Sequence, residues 1–150
     1  MWFCAGVHGI GRPATEASAD GPNGLAFDRA GDLFIAGFNT KTLLMVARDG
    51  TMRLPEGPDG FYPRGNGGLV STADGRVLGM NGQQIVRIGP RGVRTVVDFR
   101  NRLDGFQPNG IAVAPSGAIY ADTFVGNGFA TASALVQVSP KGHVRVLWRG

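Results

Sequence analysis

The sequence predicts an all-β fold, a β-propeller segment of about three four-stranded antiparallel blades that form an incomplete ring. Three observations carry this. Gly24, Gly68 and Gly110 each open a short apolar run, GLAFD, GLVST and GIAVA. Seven residues later Gly31, Gly75 and Gly117 each close a polar turn, and a second turn glycine follows at Gly50, Gly92 and Gly142. The opening glycines stand 44 and then 42 residues apart, the length of one propeller blade. No stretch shows a helical period of useful length.

In chain order, residues 1–5 read as a short strand placed where the outermost strand of a preceding blade belongs. Residues 6–21 read as a loop, in which ATEASA has room for one helical turn but no apolar face. The first repeat, about 22–57, divides into strands at 25–28, 32–37, 42–47 and 51–54. The second, about 66–99, gives strands at 68–71, 76–80, 84–88 and 93–97. The third, about 108–149, gives 111–114, 118–122, 134–138 and 143–148. Glycine closes the intervening turns because tight hairpins need positive φ. The whole chain, 1–150, is read as one partial propeller. Trp2 and Trp148 fall on strands and read as core residues.

A four-stranded meander sends its turns to opposite ends of the sheet. The turns after first and third strands are short and stereotyped in all three repeats. The connections after second and fourth strands, at 38–41, 81–83, 123–133, 55–67 and 98–109, are the long and variable set. Tight turns are scaffold and irregular loops carry recognition, so the second end is the expected working face.

Composition narrows the classes further. With 150 residues and 43% hydrophobic content, the chain can build a core. A net charge of +4 permits an acidic partner, yet no block of five like charges occurs. The single cysteine, Cys4, excludes an internal disulfide and a thiolate metal cluster. The N-terminus lacks the basic region and apolar length of a signal peptide, and no run of 18 apolar residues exists; a soluble, cytoplasmic protein is the default expectation. Phosphate-binding glycine loops and a Gly-x-Ser-x-Gly nucleophile motif are absent from the sequence.

Residues 11–37, GRPATEASADGPNGLAFDRAGDLFIAG, resemble an NHL repeat of bacterial type. Residues 108–123, PNGIAVAPSGAIYADT, are similar to the related SMP-30/gluconolactonase repeat. The resemblance implies a ring of six or seven blades. Three repeats fall short of that, so the chain is expected to be a fragment of a longer product or to associate with itself through open blade edges. The NHL side implies a non-catalytic module that binds a protein or small-molecule ligand. The SMP-30 side implies a Ca²⁺-dependent lactone or ester hydrolase, in which Asn23 and Asn109 of the Asn-Gly pairs are metal ligands and Asp122 is a general base or further ligand. The same Asn-Gly pairs also suit a turn that shapes the start of a blade, and Asp122 also suits a loop-capping role. Ca²⁺ wants six to eight oxygens, several from carboxylates, and the sequence offers few at matching positions.

The variable loops carry aromatic side chains beside polar ones. Phe61, Tyr62, Phe106, Phe124 and Phe129, with Arg64, Arg102 and Asn127, make up the expected partner face, with packing between blades as the alternative. Arg76, Arg87, Arg91, Arg94, Arg100 and Arg102 make the second repeat basic. Alternating Arg and Val marks a solvated sheet face, so RNA is not the expected partner.

Overall fold

The structure, a computed structural model, describes residues 6–19, 21–37, 42–55, 68–89, 91–100, 102–103, 107–125 and 132–150. The strand expected at 1–5 lies outside them. Among the described residues twelve strands form three four-stranded antiparallel sheets, each a meander paired in chain order. Blade 1 contains β1 (Pro22–Phe27), β2 (Leu33–Gly37), β3 (Thr42–Val46) and β4 (Met52–Arg53). Blade 2 contains β5 (Leu69–Ser71), β6 (Val77–Asn81), β7 (Gln84–Gly89) and β8 (Gly92–Asp98). Blade 3 contains β9 (Gln107–Val113), β10 (Ile119–Val125), β11 (Ala132–Val138) and β12 (Val144–Arg149).

Polar side chains make the tight turns locally self-sufficient. In the β1–β2 turn the Asp28 carboxylate accepts the backbone N–H of Ala30 at 2.8 Å and of Asp32 at 3.0 Å. In the β5–β6 turn the Thr72 hydroxyl accepts the Arg76 N–H at 2.9 Å. Such side chains hold the turn closed without help from the rest of the fold.

The alternation of each strand buries both faces of the middle blade, because a sheet stacked between two others has no solvent side. Between blades 1 and 2, Phe34, Ala36, Leu43 and Met45 pack with Leu69, Val77, Val86 and Ile88. Between blades 2 and 3, Leu78, Ile85, Val97 and Phe99 pack with Ile119, Ala121, Ala134, Val136 and Val138. Two cross-blade hydrogen bonds fix the stacking at the tight-turn end. The Ser71 hydroxyl donates to the Phe27 carbonyl at 2.8 Å, and the Arg29 N–H donates to the Gly75 carbonyl at 2.7 Å.

The N-terminal segment does more than a connecting loop does. A 3₁₀ turn forms at Ala14–Glu16, within the stretch where one helical turn is expected. Around it, Gly11 N–H donates to Met52 O at 2.7 Å, Met52 N–H to Arg12 O at 2.8 Å, and Ala14 N–H to Gly50 O at 2.8 Å. Val7, Ala14, Ala17 and Ala19 pack over Ile35, Leu44 and Met52. The segment thus satisfies the outer edge of blade 1 and covers much of its free face, the usual remedy for an exposed sheet edge.

Two expectations need correction. Trp148 is not core: it is 55% exposed, opposite Leu135 on the face of blade 3 turned away from blade 2. Strand alternation places a side chain on a face, but burial needs a further sheet on that face, and the described residues supply none. Residues 81–83 do not form a long loop either. Asn81 pairs with Gln84 across a two-residue turn in which Gly82 has φ +59°. Among the described residues no helix is long and apolar enough to cross a membrane.

Candidate functional site

The two Asn-Gly pairs occupy equivalent places. In β1, Pro22 pairs with Gly37 and Gly24 with Ala36, which leaves Asn23 as the extra residue of a β-bulge. In β9, Pro108 pairs with Thr123 and Gly110 with Asp122, which leaves Asn109 as the extra residue in the same way. A bulge releases a side chain from the sheet's alternation and re-aims it, and bulges concentrate beside binding sites. Both fall at the end of the innermost strand from which the long connections emerge. The matching position of blade 2, Gly67, lies outside the described residues.

Asp122 stands beside Asn109. The Asn109 amide nitrogen donates to Asp122 Oδ2 at 3.1 Å, and the carboxylate is exposed. Gly110 makes room for it: a Cβ on that glycine lies only 2.5 Å from Asp122 Oδ1. Registration across β9 and β10 therefore brings together two of the three residues singled out for metal or proton chemistry. The third, Asn23, is half-buried at the corresponding place in blade 1 and makes an interaction of its own. Asn109 and Asp122 line a groove of about 530 Å³ together with Phe124, Ser133, Leu135 and Trp148. Leu135, Ser133 and Trp148 were not visible as site residues from the sequence, since only the strand pairing shows that they share this face.

Of the expected partner face, Phe124 is half-buried at the end of β10. Arg102 is exposed, and its guanidinium donates to the Gly142 carbonyl at 3.2 Å, in the β11–β12 turn. Phe61, Tyr62, Arg64, Phe106, Asn127 and Phe129 lie outside the described residues.

The connection leaving blade 2 is clamped by charge. The Asp98 carboxylate accepts Gln84 Nε2 at 2.8 Å and Arg100 Nε at 3.0 Å, and it is ion-paired with the same guanidinium. The Arg100 side chain, then Gln84, hold the Asp98 carboxyl well below the usual carboxylate range. A carboxyl with a depressed native pKa stabilises the fold above its unfolded value near pH 4, and that stabilisation is lost as pH falls through the native value. Asp98→Asn should therefore flatten the acid branch of stability. Urea midpoints measured at about pH 6 and about pH 3 should fall further in the unsubstituted protein than in the variant; equal falls would show that the clamp is energetically silent.

The chemistry open to the Asn109–Asp122 pair is that of a carboxylate oriented by an amide. It can accept a proton or meet a cation. Among the described residues no group of three or more His, Cys, Asp or Glu side chains is placed to hold a metal ion. One carboxylate and one carboxamide fall short of the six to eight oxygens that Ca²⁺ takes, so the described donor set does not fit a complete site.

Sheets of four meandering strands stacked face to face, with bulged inner strands at one end, define a β-propeller segment. Solved structures share this fold. A protein assigned as a gluconolactonase superposes with a TM-score of 0.68 at 15% identity, over 98% of this chain and 54% of its own. The calcium-binding protein regucalcin from Agrobacterium tumefaciens str. C58 gives 0.62 at 20% identity, over 93% and 47%. A streptogramin B lyase gives 0.59 at 20%, over 83% and 39%. The structural neighbours are thus propellers of the gluconolactonase, SMP-30 and regucalcin kind, and the chain spans about half the length of the first of them. No protein-family model matches the sequence, and no curated protein matches it significantly.

Proposed function

We propose that this chain is a binding segment of a β-propeller, NHL-like in character, that takes a protein or small-molecule ligand on the end where the long connections emerge. The observation that carries the reading is the pair of matching bulges, which takes Asn23 and Asn109 out of the strand alternation at that end and sets Asp122 and Phe124 beside the second. At the opposite end the connections are short turns, closed in blades 1 and 2 by their own side chains, Asp28 and Thr72. A photo-crosslinking residue placed at Phe124 should yield adducts with cell extract, whereas the same residue at Ala30, in the β1–β2 turn, should not. Equal yields at both positions would contradict a one-ended surface.

The second reading is the Ca²⁺-dependent lactone or ester hydrolase. What favours it is the Asn109–Asp122 pair, together with a fold shared with a calcium-binding protein. Here Asn23 and Asn109 would be the residues that face the cation, whose chemistry when bound would be to polarise a carbonyl, and Asp122 would handle a proton. Calcium chloride titrated during thermal melting separates the readings. A binding module without a cation site shows a flat midpoint; a hydrolase shows a rise that Asp122→Asn abolishes.

Ring completion follows from the same geometry. Leu135, Leu147 and Trp148 leave an apolar strip on blade 3, and we propose that further blades, whether from a longer chain or a second copy, stack there. Mass in solution reads out the self-association arm.

A further inference from the structure

We infer that the cleft between blades 2 and 3, at the tight-turn end opposite the site above, binds the phosphate group of a small soluble molecule. The cleft has a volume of about 590 Å³, within the range of small-molecule sites. Arg76, Arg87 and Arg94 from blade 2 face Ser116 and Ser139 from blade 3 across it, and Asp74 also lines it.

Arg87 and Arg94 are the unusual pair. They sit directly opposite one another on β7 and β8, and so project from the same face of the sheet, toward blade 3. Like charges in that relation destabilise a sheet unless something neutralises them. Among the described residues the ion pairs are Arg53–Asp49, Arg76–Asp74 and Arg100–Asp98, so neither arginine of the pair has a carboxylate partner. Asp74 answers Arg76 at 3.0 Å and leaves the charge of the opposed pair uncompensated. Two guanidinium forks match a doubly charged phosphate, whose oxygens accept bidentate N–H pairs.

The blade 3 wall adds donors. Ser139 Oγ accepts the His143 N–H at 3.1 Å, and Ser116 Oγ accepts the Ala118 N–H at 3.5 Å. Each hydroxyl therefore keeps its own proton to offer to an anion. The site is suited to a compact ligand and not to a polymer, because two further arginines of the basic repeat are engaged elsewhere and do not extend it into a stripe. Arg100 is closed on Asp98, and Arg102 on the Gly142 carbonyl.

Calorimetric titration with inorganic phosphate and with glycerol phosphate, against sodium chloride at equal ionic strength, tests the inference. Both phosphates should bind saturably. Arg87→Gln and Arg94→Gln should each weaken binding by about tenfold or more, the loss expected for a charge-assisted hydrogen-bond pair. Each variant should also melt no lower than the unsubstituted protein in phosphate-free buffer, since a repulsion has been removed. No binding beyond the chloride control, unchanged affinity in both variants, or binding of an oligoribonucleotide but of neither small phosphate would overturn it.

Discussion

Phe34→Ala is expected to cost about 3–5 kcal/mol of folding stability, because it empties the centre of the interface between blades 1 and 2. Phe34 has no exposed surface and packs among Ala36, Leu43 and Met45 of its own blade and Val77 and Val86 of the next. Neighbours on two rigid sheets cannot collapse into the space, so the loss combines transfer energy with an unfilled cavity. Small domains hold about 5–15 kcal/mol in all, so the urea midpoint should fall by a large fraction of its value. Leu25→Ala supplies the internal control. That side chain is 62% exposed on the free face of β1, and its removal should stay within about 0.5 kcal/mol. Similar shifts for the two variants would mean that the blade interface is not the core.

Gly75→Ala is the second large effect, expected at about 2–3 kcal/mol. Gly75 has φ +74°, a conformation that costs any residue with a Cβ. Its added methyl would also stand 2.5 Å from Arg29 Cβ and 2.9 Å from Arg29 Cα, where the turns of blades 1 and 2 touch. The backbone of Arg29 cannot retreat without giving up its hydrogen bond to Gly75 O. Gly31, the equivalent turn glycine of blade 1, has φ +87° and open space around the position. Gly31→Ala should therefore lose about 1 kcal/mol, the dihedral cost alone. Denaturation of the pair separates turn strain from blade contact; equal losses would place no weight on the contact.

These two residues illustrate what could be read from the chain beforehand. Glycine spacing gave the blade period, and Gly31, Gly75 and Gly117 are all turn residues with positive φ. Strand limits follow the apolar runs to within a few residues, because in-register meanders are set by the turns that join them. The bulges at Asn23 and Asn109 left a trace too, since Pro-Asn-Gly stands at both 22–24 and 108–110. Reading the trace as a released side chain needed the pairing on each side of it.

What stayed hidden depends on neighbours far away in sequence. Trp148 sits on its expected strand, but nothing in that strand states whether another sheet covers it. Arg87 and Arg94 face one another because the turn that pairs Gly89 with Gly92 sets that register, and they face blade 3 because Arg87 pairs with Leu78 on its other side. Asp122 and Asn109, 13 residues apart, meet because Asp122 pairs with the glycine that follows the bulge. Residue types announced these groups, and registration decided their company.

The account rests on three repeats stacked side by side as blades, and methyl–methyl nuclear Overhauser effects test that arrangement most directly. They should connect Ala36 and Leu43 with Val86 and Ile88, and Leu78 and Ile85 with Ala134 and Val136, across the two interfaces. Effects confined within each repeat, with none linking one repeat to the next, would contradict it.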